Sequence, residues 1–181
     1  MRIPRLLGRL LIGGIFFAHG TQKLFGWFGG SGPDKTGQMM DKLGMHPGRP
    51  NAIAAGSAET FGGLGIALGA LTPAAAAALI GTMITAIRTV HFKKGFFNAD
   101  GGYEFNLSLI AALLVIVDGG PGSPSLDSAL GLEDTGPAWS LAALAAGAAG
   151  STLAIVAAHK AAPHPSDQTP APEPSATPVS N

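Results

Sequence analysis

The sequence predicts an all-α integral membrane helical bundle of five transmembrane segments, and three observations predict it. Only 12% of the 181 residues are charged against 46% hydrophobic, where an ordinary soluble domain carries about 25% charged residues. Long apolar stretches recur, and the first, Arg5 to Trp27, is broken only at Arg9, His19, Gln22 and Lys23. Glycine is abundant at 27 residues, as close packing of membrane helices favours. Eleven Lys plus Arg balance eleven Asp plus Glu, which leaves no basic footprint for nucleic acid. Cysteine is absent, so the chain has no disulfide, thiol nucleophile or thiolate ligand of its own. Any redox role must borrow its electrons from a cofactor or a partner.

The first helix is predicted at about residues 5–28, and at a rise of roughly 1.5 Å per residue it is long enough to cross a hydrocarbon layer about 30 Å thick. Arg2, Arg5 and Arg9 before an apolar run look like the start of a signal peptide. No small-x-small cleavage site follows, and the run continues into His19 and Lys23, so a retained helix is the better reading. His19 and Lys23 stand one helical turn apart on the same face. A basic pair carried that deep needs a protein partner, because a charge facing lipid costs several kcal/mol.

In the loop that follows, Lys35 to Leu43 forms a short interfacial helix with Met39, Met40 and Leu43 on one side. The second helix, about 51–71, contains Glu59 with Ala55, Gly56, Gly62 and Gly63 one turn away on either side. Its flank is stripped of bulk, which lets another helix approach the carboxylate. Gly65 and Gly69 add a GxxxG spacing that indicates packing. After the Thr72-Pro73 turn, a third helix over 73–92 carries Thr85, Arg88 and His91, spaced to line one stripe. Residues 103–118 make a fourth, shorter helix, with Glu104 where a helix N-terminus favours a carboxylate. An acidic loop containing Asp118, Asp127, Glu133 and Asp134 ends over 131–137. The fifth helix, 138–160, is Ala, Leu and Gly and has no chemistry of its own. The tail, 161–181, is proline-rich and cannot bury apolar surface, so it is expected to be disordered.

If the five helices cross in alternation, His19, Lys23, Glu59, Arg88, His91 and Glu104 fall within one half of the membrane. Lys23 and Arg88 would then be opposed by Glu59 and Glu104, with His19 or His91 able to exchange a proton near neutral pH. The same residues also fit a structural role, as snorkelling anchors or as a polar network that holds the helices together. No HExxH, repeated ExxH, phosphate loop or Ser-His-Asp arrangement is present. The sequence therefore assigns no catalytic residue, no metal site and no cofactor.

Five stretches in order carry a family likeness: RLLIGGIFFAHGTQK over Arg9 to Lys23, ETFGG over Glu59 to Gly63, Arg88, GGYE over Gly101 to Glu104, and GGPGSPSLD over Gly119 to Asp127. In this order and spacing the chain resembles the DoxX family of small bacterial membrane proteins, in its mycobacterial type. The resemblance implies a compact four-helix core over 1–130, multi-pass in the bacterial plasma membrane, with the fifth helix and tail beyond it. The family is similar in fold to the small membrane subunit of a thiosulfate:quinone oxidoreductase. Mycobacterial relatives are linked to a membrane complex with a superoxide dismutase and a thiosulfate sulfurtransferase. What the resemblance implies is therefore a non-catalytic subunit or anchor of a redox complex, with the lipid bilayer, a soluble oxidoreductase, sulfurtransferase or superoxide dismutase, a quinone and further copies of itself as candidate partners. The alternatives are a small-solute or proton transporter and a purely structural scaffold. Short length and the lack of an evident inverted repeat argue against a complete secondary transporter.

Overall fold

The computed structural model describes residues 3–132 and 134–162. Glu133 and the proline-rich tail from residue 163 onward lie outside the described residues. The fold is all-α: α1 (Ile3–Phe25), α2 (Gly32–Lys42), α3 (Gly48–Leu68), α4 (Thr72–Ala86), α5 (Glu104–Gly119), α6 (Leu126–Ala129) and α7 (Pro137–Lys160). Beyond Ala86, α4 runs on through a π-helical turn, Ile87–His91, and a 3-10 turn, Phe92–Lys94.

Two of these helices are long and apolar enough to cross a membrane, Thr72–Lys94 with mean hydropathy 1.4 and Pro137–Lys160 with 1.9. The other three long helices miss that mark for separate reasons. α1 carries Arg5, Arg9 and Lys23, α3 dilutes its apolar residues with glycine, and α5 has only 16 residues.

Backbone chemistry moves several predicted boundaries. α1 stops at Phe25 because Gly26 takes a left-handed conformation, φ 70°, and a separate 3-10 turn follows over Trp27–Gly29. α3 starts before residue 51, where the Asp41 carboxylate accepts the Gly48 N–H at 2.7 Å. It ends at Leu68 rather than 71 because Gly69, φ 61°, closes it as a left-handed cap. The acidic loop also contains the short helix α6, whose first turn is capped by Ser125 accepting from the Ser128 N–H.

Two seams of small residues organise the bundle. α1 and α3 run antiparallel, with Gly13 against Gly63 and Gly20 against Gly56 and Thr60. A Cβ at Gly13 would lie 2.5 Å from Gly63 O and 2.7 Å from Ala67 N, so this approach requires glycine. α4 and α7 run parallel: Gly81 meets Gly147, and the Thr85 and Ser151 hydroxyls are 2.9 Å apart. Between the seams Phe16, Ile66, Leu79, Ile80, Leu113 and Val117 form the buried core. At the end of the bundle where α7 finishes, Met45 packs with Ile155 and Ala158.

Candidate functional site

The main cavity, about 720 Å³, lies among α1, α3, α4, α5 and α7. The methionine side of α2 covers it through Met39, Met40 and Leu43, with Met45 just beyond. Alanine and methionine are the commonest of its apolar wall residues, and polar side chains are set among them. An apolar interhelical cavity with a small number of placed polar groups is the usual form of a ligand site.

Among the predicted polar residues, His19, Lys23, Glu59 and His91 line this cavity. Across the antiparallel glycine crossing Glu59 of α3 comes level with His19 of α1, and Lys23, one turn further along α1, reaches back to it. Lys23 Nζ lies 2.5 Å from Glu59 Oε2 and 3.3 Å from the carbonyl of His19. Glu59 is 5% exposed and Lys23 24%, so of the two lining residues the carboxylate is the more buried. His19 itself is exposed. His91 comes from the π-helical turn, its Nδ1 held 2.6 Å from the carbonyl of Gly101.

Arg88 and Glu104 stand apart from this pair. The π turn carries Arg88 to the exposed outer surface, where its Nη1 donates to the Thr152 hydroxyl of α7 at 3.1 Å. Glu104 is half-buried at the start of α5, and among the described residues its carboxylate makes no ion pair. The expected opposition of two basic and two acidic groups thus reduces to Lys23 and Glu59. α7, expected to be chemically blank, supplies cavity wall through Gly147, Gly150 and Ala154, together with the buried Ser151 hydroxyl. Asn106 of α5, also buried and lining the cavity, directs its Nδ2 to Met83 Sδ at 3.3 Å. Its apolar neighbours on either side would have marked it in the sequence. Among the described residues no group of three His, Asp or Glu side chains converges to hold a metal ion.

A second polar cluster, missed by sequence reasoning, sits at the opposite end of the bundle. Arg9 is 2% exposed, and its Nη2 donates to the carbonyl of Pro124 at 2.5 Å. Asp127, also buried, accepts from the backbone N–H of Leu71 at 2.7 Å and of Thr72 at 3.0 Å, and from the Thr72 hydroxyl at 2.6 Å. Its own N–H donates to Gly69 O at 2.8 Å. Arg9 Nε and Nη1 are buried and make no hydrogen bond among the described residues. This cluster ties the loop before α6 to α1 and to the α3–α4 turn. Its hydrogen bonds run to backbone and between its own groups, which is the chemistry of a fastening.

No curated protein and no solved structure matches the chain. One family model does, that of DoxX, over residues 5–92. The matched segment runs from α1 to the end of the π turn, and so includes Arg9, both members of the Lys23–Glu59 pair, and His91. α5, α6 and α7 lie outside it. Residues 5–92 are thus similar to the DoxX family, and the two long apolar helices are consistent with a place in the membrane.

Proposed function

We propose that the protein is a multi-pass subunit of the bacterial plasma membrane, its five long helices arranged as a four-helix DoxX core with a fifth crossing, that serves a quinone-linked or oxidative-stress oxidoreductase complex without performing the chemistry itself. Its soluble partners would be of the kind linked to mycobacterial relatives, an oxidoreductase, a sulfurtransferase or a superoxide dismutase. The observation that carries the reading is the interhelical cavity of about 720 Å³ with the Lys23–Glu59 pair in its wall. Its apolar walls suit a lipid-soluble ring and chain, and the lysine places a hydrogen-bond donor where a ring oxygen can meet it.

The test is purification from native membranes in mild detergent, with mass spectrometry of the proteins and lipids retained. Quinone and a redox enzyme should copurify with the wild-type chain, and quinone should fall several-fold in Glu59→Gln. A folded bundle that retains neither would overturn the redox reading and favour a scaffold.

A further inference from the structure

Counting the hydrogen-bond donors and acceptors that the cavity wall has left over shows which kind of head group it suits. Thr82, Thr85 and Thr89 all line the cavity. Each returns its hydroxyl proton to its own helix, to Leu79 O, Gly81 O and Thr85 O respectively, each at 2.8 Å. What they offer a ligand is oxygen lone pairs. The Thr85 proton being spent on Gly81, the hydroxyl contact of 2.9 Å with Ser151 takes up the Ser151 proton. Asn106 turns an amide N–H towards Met83 Sδ and leaves its carbonyl as the stronger group.

His91 is the most telling member. Its Nδ1 faces the Gly101 carbonyl at 2.6 Å, and a carbonyl only accepts, so Nδ1 carries the proton. In the neutral ring Nε2 is then a lone pair, able to accept but not to donate. Free donors remain on Lys23, His19, Asn98 and the second N–H of Asn106, whereas His91 Nε2 in the neutral ring can only accept. It is therefore a cavity group whose partner must bring the proton.

Building on the quinone-cavity reading above, we propose that the cavity selects the reduced, hydroxyl-bearing form of its ligand, a quinol, over the oxidised dicarbonyl, and that His91 Nε2 is the group that reads the difference. A quinol hydroxyl donates to Nε2. A quinone carbonyl placed there sets two acceptors face to face, and both lose their water without gaining a partner. Selection here is a matter of binding alone, with no bond made or broken and no electron moved.

The test compares duroquinol with duroquinone, which share one skeleton, by anaerobic equilibrium titration of the protein in lipid nanodiscs. The reduced form should bind about tenfold more tightly, the range expected for one hydrogen bond gained against one acceptor left unpaired. His91→Phe should weaken duroquinol about tenfold and leave duroquinone within about twofold, with helix content unchanged by circular dichroism. Should that variant not fold, the wild-type ratio decides by itself. Measurable binding of both forms with a ratio near one overturns the proposal and leaves the quinone cavity standing. Failure of either form to bind overturns the quinone cavity, and the selection with it.

Discussion

The Asp127 carboxylate holds Thr72 twice, 3.0 Å from its backbone N and 2.6 Å from its hydroxyl. It thereby caps α4 from α6, far away in sequence. The residue in the capping position of α4 is Leu71, held at φ 46° and carrying no side chain able to accept a hydrogen bond. The work that a local Ser or Asp does at most helix starts is done here at long range.

Asp127→Ala should therefore lower stability by about 2–3 kcal/mol, the cost of a lost cap together with buried N–H groups left unpaired. Thr72→Val should cost less and be non-additive with it, because both changes remove the same 2.6 Å bond. Thermal unfolding of the single and double variants in detergent measures the coupling.

Glu59→Gln should destabilise the bundle by about 3 kcal/mol, since it strands a partly buried ammonium. Adding Lys23→Met should recover part of that loss. Adding Arg88→Met instead should give simple additivity, because Arg88 bonds to Thr152 and not to Glu59. A double-mutant cycle on midpoint temperatures separates these outcomes, and coupling between Glu59 and Arg88 would contradict the geometry.

At the α1–α3 seam, Gly20→Ala would set its new methyl against Thr60 and the Gly56 carbonyl. The helices must then part, and the midpoint temperature should fall by several degrees. Gly8→Ala on the same helix has nothing within 4 Å of the new methyl and should be neutral or stabilising by up to about 1 kcal/mol through helix propensity. A similar loss at both positions would show that close helix approach is not what sets the cost at this seam.

The absence of cysteine makes single-cysteine labelling a clean test of the membrane arrangement. Ser31→Cys and Ser123→Cys lie in exposed loops at opposite ends of the bundle. In intact cells a membrane-impermeant maleimide should label one and not the other, and permeabilised cells should label both. Labelling of both from outside would exclude a bundle that spans the bilayer.

How far the sequence could be read depended on how local each signal was. Long apolar runs marked the five long helices, and the deep charge of Glu59 called for a basic partner, with Lys23 and Arg88 both eligible. Arg88 defeated the same logic. Its spacing from Thr85 and His91 was counted on a regular helix, whereas the observed i→i+5 turn over Ile87–His91 alters the rotation per residue and swings Arg88 outward. Arg9 and Asp127 were legible as residues but not as neighbours, since a charge cluster at the start of the chain and an acid in a late loop carry no local sign of meeting. In α7 the absence of functional side chains hid its part in the site, because alanine and glycine shape a cavity by what they leave unfilled.

That part has a consequence for how the protein is made. The wall formed by Gly147, Gly150, Ser151 and Ala154 belongs to α7, which leaves the ribosome after α1 to α6. Until it docks beside α4, the earlier helices present a trough rather than a chamber, with the hydroxyl of Thr85 lacking its Ser151 partner. A bulky lipid-soluble molecule therefore has a period during synthesis when it can enter from the side without prising packed helices apart. Afterwards the Gly81–Gly147 contact closes that side, and entry is left to the rim, where the exposed Met39 and Phe105 line the cavity.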